Sequence, residues 1–326
     1  NPLGLRGVGS QGADMYAAPN PEFGATFTYF IKEKPESPKE KRQKAEKKAK
    51  EAGNEIDYPT YEEFVAEDNY EKAYLLFVVK DNKGQEVRKI KTNATEGMQR
   101  INWNLRYPAV TPIKLNEGKA GRYSNPNEGP LALSGKYTVE LWQSDNGVME
   151  KLVEPTPFEV IPLENSSLDR QTAANIAFKR EVQELRRSMQ GSNYEKNELD
   201  KRLKHIKMAI KIYPGAEVEW MNEVKKLEQT SHDLRIAMWG DFHKSKRDVE
   251  TAPGAASRVE NIVWNSWYST SNPTETNKEQ FTLAKEQYVD IRANLDEMKA
   301  AIVALEEKLD SKNVPYTPNR PNWKEE

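Results

Sequence analysis

Three histidines, His205, His232 and His243, are the side chains in this sequence best suited to hold a metal or move a proton, and all three fall in helical segments. His232 and His243 stand eleven positions apart, about three turns, and could share a face. There is no His pair at i, i+4 and no H-E-x-x-H, so no metal ligand set is predicted. Ser231-His232-Asp233 has the composition of a catalytic triad. Consecutive helical residues point about 100° apart, however, and cannot form the relay. The acidic pair Glu306-Glu307 reads as part of the solvated face of a charged helix, whereas glycosidase carboxylates must face each other across a cleft. With no cysteine, disulfides, thiolate metal sites and thiol catalysis are excluded. No Gly-rich phosphate loop is present. No catalytic, cofactor-binding or metal-binding residue is assigned, and no cofactor is expected.

Trp103, Arg106 and Tyr107 could stack on and grip a sugar through aromatic faces and a bidentate donor. On a strand, Trp103 and Leu105 point one way while Asn104 and Arg106 point the other. Trp103 is therefore read as core and Arg106 as the partner of a backbone carbonyl or a neighbouring domain. Arg106, Tyr107, Trp264 and Trp267 are the candidate interdomain contacts.

The elements that must position these residues change period near residues 162–166. Before that point apolar residues alternate in short runs broken by Gly, Pro and Asn; after it they recur every three or four positions. Residues 1–22 are Gly- and Pro-rich and read as an extended segment, and residues 23–162 as an antiparallel β-sandwich. Its expected strands are Phe23–Lys32, Tyr74–Val79, Gln85–Ile90, Arg100–Leu105 and the hairpin from Gly135 through Asp145-Asn146-Gly147 to Ile161. A charged helical insertion is expected at about 34–67, with a Thr60/Glu63 capping box; its mixed signs favour a solvated excursion over a basic docking arm.

Residues 166–312 read as an antiparallel bundle of four helical segments, followed by a tail over 313–326. Gly191 is expected to end the first helix and Ser192 with Glu195 to cap the second. Asn272-Pro273 is expected to open the fourth. Ile291, Leu295, Met298 and Ile302 form a three–four seam along that last helix, with Lys299, Glu306 and Lys308 off it. A shorter aromatic segment, Arg258–Tyr268, is read as a helix closing one end. The fold class is thus α+β in two domains.

The string Asn102-Trp103-Asn104-Leu105-Arg106-Tyr107, with Gly129-Pro130 and Ser134-Gly135-Lys136-Tyr137-Thr138-Val139, resembles an immunoglobulin/fibronectin III-like module found after β-propellers in bacterial secreted proteins. Ala18 to Ala25, Thr28 to Glu33 and the tail Pro315-Tyr316-Thr317-Pro318-Asn319-Arg320 extend the likeness over nearly the whole chain. The chain resembles the C-terminal region of BNR-repeat "glycosyl hydrolase-like" proteins with a sortilin-type propeller, as in Bacteroidetes-like bacteria. The resemblance implies a secreted or cell-envelope protein whose β-propeller portion is the partner. It also implies a non-catalytic accessory role, with a contribution to a glycan- or peptide-processing site, or docking in an envelope complex, as alternatives. The hydrolase label would rest on the propeller and does not transfer to these residues.

Composition sets the remaining limits. Net charge is −2 over 326 residues, so no global field draws nucleic acid or an anionic membrane. No stretch reaches the roughly 18 apolar residues a membrane span needs. The opening Asn-Pro-Leu-Gly-Leu-Arg-Gly has neither Met nor a leader pattern and reads as a cut end or a mature processed form.

Overall fold

The computed structural model describes residues 20–56, 58–113, 128–162 and 172–320. Most of the expected extended segment, the domain join at 163–166, much of the loop before Glu128 and the end of the tail lie outside these residues. The described chain is α+β with antiparallel sheets. It divides into two compact units: Asn1–Arg106 with Ser134–Ile161, and Tyr107–Leu133 with Pro162–Glu326. The residues between the expected strands at 100–105 and 135–142, assigned from sequence to the β half, group instead with the helices.

In the first unit, β1 (Ala25–Ile31) pairs antiparallel with β4 (Gly97–Trp103). A second sheet runs in the order β3-β2-β7-β8, with β2 Tyr74–Asp81, β3 Glu86–Asn93, β7 Gly135–Asp145 and β8 Val148–Val160. Alternation sends Phe27, Tyr29 and Ile31 of β1 and Ile101 of β4 onto Leu75, Phe77, Val139 and Leu141 of the larger sheet, so the two layers share one core. Phe158 meets Phe27, Trp103 and Tyr137 at ring distances of 5.3, 6.1 and 5.8 Å. The β7–β8 hairpin turns at Asn146 and Gly147, both with positive φ (48° and 79°), the geometry that makes Asn-Gly a hairpin signal. The return from that turn is one strand, β8, over Val148–Val160. Pro155 and Pro157 are accommodated because β8 is the sheet's edge, where a missing N–H breaks no ladder.

The charged insertion folds as α1 (Pro38–Glu51) and α2 (Tyr61–Asp68), neither of which buries a residue. Each begins with a full capping box, Ser37/Glu40 and Thr60/Glu63. Arg42 joins them by bonding both carboxylate oxygens of Glu67 at 2.6 and 2.9 Å.

In the second unit, α3 (Ala173–Ile212) is one helix of 40 residues. The sequence expectation of a stop at Gly191 and a new cap at Ser192 is corrected. Glu195 is not turned back onto a helix start but bonds Arg292 and Lys299 of α7 (Glu275–Ser311) at 2.7 and 2.8 Å. Ser192 is buried, with its hydroxyl 2.7 Å from that of Tyr288. Cross-helix partners won over a local stop signal. The cap of α7 is Thr274, two residues after the expected Asn272.

Between the long helices, α4 (Val218–Trp239) and α6 (Ala255–Ser266) run end to end. A Cβ on Gly254 would lie 2.5 Å from the Met238 carbonyl oxygen, so only glycine lets α6 start this close to the end of α4. Trp239 reaches Asn193, and farther along Glu260 reaches Arg186, so α4 and α6 together descend beside α3. Helix α7 then ascends past both. The unit is three rods, with the middle one interrupted at 240–254, where the four-residue α5 (Phe242–Ser245) lies. Its core includes Leu203, Ile206, Val224, Met238, Val259, Ile262 and the α7 seam Ile291, Leu295, Met298 and Ile302, every one of them buried.

Candidate functional site

Strand β4 ends at Trp103, because Leu105 turns through a left-handed backbone conformation (φ 56°) before the short β5 (Arg106–Pro108). The expected strand through Leu105 is therefore broken, and the in-and-out alternation proposed for residues 103–106 does not run through. Trp103 is 1% exposed, packed on Tyr137 at 5.4 Å, and donates its indole N–H to the Arg106 carbonyl oxygen at 3.0 Å. Strand β5 pairs with β6 (Glu128–Leu131). Gly129 permits this approach: a Cβ there would stand 2.7 Å from the Pro108 oxygen and 2.8 Å from that of Tyr107.

Three of the four candidate contact residues take part in contacts of these kinds, and only one faces outward. Arg106 supplies the carbonyl that anchors Trp103. Tyr107 lies under the Arg180 guanidinium, 5.0 Å from the ring centre, and Trp267 under that of Arg186, also at 5.0 Å. Trp267 is buried, whereas Trp264, three residues earlier on α6, is 60% exposed.

Arg186 belongs to a row along the first half of α3 that sequence reasoning missed. Asn175 donates its side-chain amide to the Thr270 and Ser271 carbonyls, and Lys179 its ammonium to that of Ser269 at 2.7 Å. Gln183 donates to the Pro108 carbonyl at 2.7 Å, and Arg186 grips both oxygens of Glu260 at 2.8 and 3.0 Å. The spacing 175, 179, 183, 186 follows the helical repeat. Polar residues on that spacing were available as a signal, but they look like a wet face until their partners are known. Lys179 is 1% exposed and Asn175 equally so. Each is buried because backbone carbonyls replace its water.

The charged groups elsewhere are spent in the same way. Glu306 is the clearest case: it is buried and held by both arms of Arg202. The expectation that it lies on the solvated face is corrected. At this level α7 packs against both α3 and α4, and the position one turn after Ile302 is enclosed. Glu140 of β7 is buried, accepting from Lys80 at 2.9 Å and from the Trp142 indole at 3.0 Å; the Lys80 bond is the main reason its carboxyl is pushed below the usual range. Arg320 of the tail bonds Asp310 and the carbonyls of Val314 and Pro315.

A groove of about 690 Å³ lies between α1 and the end of the β2–β3 pair, bordered by Lys34, Glu40, Tyr70, Lys72 and Glu96. Glu40 is held down at about 2, first by the Ser37 backbone N–H of its capping box and then by Lys34. Tyr70 is pushed up to about 12 by burial and by its bond to Asp145. Glu195, Asp241 and Asp296 are likewise displaced downward, each by a hydrogen-bond donor. These are carboxylates committed to structural bonds, and a general acid needs the opposite displacement.

The sequence places His232 and His243 eleven residues apart, where they could share a helix face; the structure puts them on different helices, α4 and α5, with ring centres 6.2 Å apart. They lie close because the chain turns back at Gly240, not because of helical spacing. Among the described residues no group of three or more His, Asp or Glu converges on a metal position, and no helix is long and apolar enough to cross a membrane. Compared with known proteins, the chain matches no family model, no curated protein and no solved structure.

Proposed function

We propose that this chain is a non-catalytic accessory region, an immunoglobulin/fibronectin III-like β-sandwich with an antiparallel helical bundle, that packs beside a β-propeller in a secreted or cell-envelope protein of bacteria. The observation that carries the reading is how the candidate contacts divide. Trp103, Tyr107 and Trp267 each make their contacts within their own unit, while Trp264 presents a large aromatic face to solvent from a helix whose other side is core. Such an anchor suits docking, since buried Trp residues dominate the energetics of protein interfaces. The expenditure of carboxylates and cations on internal pairs supports the same role, because such groups stiffen a scaffold rather than turn over a substrate.

The test is to measure association of the chain with the propeller-bearing portion before and after Trp264→Ala. The variant should bind more weakly by about 2 kcal/mol or more, as for a hot-spot truncation, with an unchanged melting temperature. Equal binding would remove Trp264 from the interface. Glycan or peptide turnover by the chain alone, lost on a single substitution within it, would favour the alternative of a processing enzyme.

A further inference from the structure

We propose that His232 and His243 form a two-imidazole clip for a late first-row divalent ion of the Cu²⁺ or Ni²⁺ type, with water completing the coordination. Imidazole is a ligand that suits these ions, and Cu²⁺ stands at the top of the affinity order for nitrogen sites. Nitrogen–metal bonds of about 2.0–2.1 Å place each ring centre roughly 3.2 Å from the ion. Two rings sharing one ion then sit about 5.2 Å apart at the tetrahedral angle and about 6.4 Å apart when their nitrogens are opposed. The observed 6.2 Å, with ring planes inclined by 31°, lies within the span that two rings sharing one ion can take. Copper and nickel are favoured over zinc because imidazole with water, on only two protein ligands, suits the ions at the upper end of the affinity order.

The two rings come from parts of the fold with unequal support. His232 is half-buried on the 22-residue α4, whereas His243 is exposed on the four-residue α5, inside the interruption of the middle rod. Asp241 sets the direction of α5: its carboxylate accepts from the backbone N–H groups of His243 and Lys244 at 3.0 and 3.1 Å. Arg247 caps the same turn by donating to the His243 carbonyl at 2.9 Å. The His243 backbone is therefore placed without using its ring, which leaves the imidazole for a ligand. An ion held between the rings would fasten the 240–254 connection to α4, and binding only the folded form would raise the melting temperature.

The full chain is titrated with Cu²⁺ alone, followed by calorimetry and by the nitrogen hyperfine structure of the copper resonance, and its melting temperature is taken with and without the ion. One ion per chain with two equivalent nitrogens is expected, together with a metal-dependent rise in melting temperature. His243→Ala and His232→Ala should each abolish the one-to-one inflection and the rise, while His205→Ala, at the remaining histidine, keeps both. His243→Gln guards against a folding artefact, since an exposed amide there leaves the turn bonds intact and must also lose binding. No inflection with the unaltered chain, or an inflection that survives His243→Ala, overturns the proposal.

Discussion

Glu306 shows how far one residue's role depends on its surroundings. The sequence places it beside Glu307 on a charged helix, one step off an apolar stripe. The structure buries it against Arg202, so its replacement should be costly. Glu306→Gln leaves the Arg202 guanidinium without its counter-charge and is expected to destabilise by about 2–3 kcal/mol. Leu295→Ala, which empties a fully enclosed site on the same helix, should cost about 2–5 kcal/mol. Thermal or urea unfolding of both variants measures this, and a Glu306 change within roughly 0.5 kcal/mol would return that residue to the surface class. Glu195 is one of the carboxylates that contribute to the pH dependence. Its carboxyl is displaced below the ordinary 4.5, first by the bond from Arg292 and then by that from Lys299. A depressed folded-state value means the stabilisation is present above about pH 4.5 and is lost as pH falls through the folded value. Unfolding free energy should therefore decline on acidification below that point, and Glu195→Gln should flatten the decline.

At the level of elements, the sequence was most legible where local chemistry and tertiary packing agree. The Thr60/Glu63 capping box, the Asp145-Asn146-Gly147 turn and the Ile291–Ile302 seam each stand as expected, because one short stretch contains both the signal and its cause. Legibility failed where a local signal was outweighed from afar. Gly191 and Ser192 look like a stop and a start, yet α3 passes through them because Tyr288 and Arg292 of α7 supply partners for Ser192 and Glu195. The row from Asn175 to Arg186 was invisible for the opposite reason: four of its acceptors are backbone carbonyls about 75 to 95 residues away, and carbonyls leave no trace in a sequence. The continuity of α3 is open to test. Gly191 is exposed, and a Cβ there would meet nothing within 4 Å. Gly191→Ala should stabilise by about 0.5–1 kcal/mol, the helix-propensity difference, where a true helix stop would be destabilised by it.

For the whole molecule, the question is what a fragment must contain to fold. The change of sequence period places one boundary near residue 162, and that boundary is also found between the two compact units. The chain crosses between them at two further points, after Arg106 and after Leu133, which the sequence did not signal. A Gly- and Pro-rich stretch between two strands has no period of its own, so nothing within it announces that its contacts lie with helices. Those contacts are specific: Pro108 accepts from the 7%-exposed Gln183, and Tyr107 lies under Arg180. A chain limited to residues 163–326 would lack both, together with the β5–β6 pair. It should fold, since the core from Val182 to Val314 lies within it, but with stability lower by about 1–3 kcal/mol than the same helices in the full chain, the range for a lost cation–π contact and a lost buried hydrogen bond. Hydrogen exchange locates the loss. Protection of amides in the first half of α3, around Lys179 to Arg186, should fall, while that around Arg202, tied to Glu306, should be retained. Uniform protection along α3 would show that residues 107–133 are passengers on the helical unit rather than part of it.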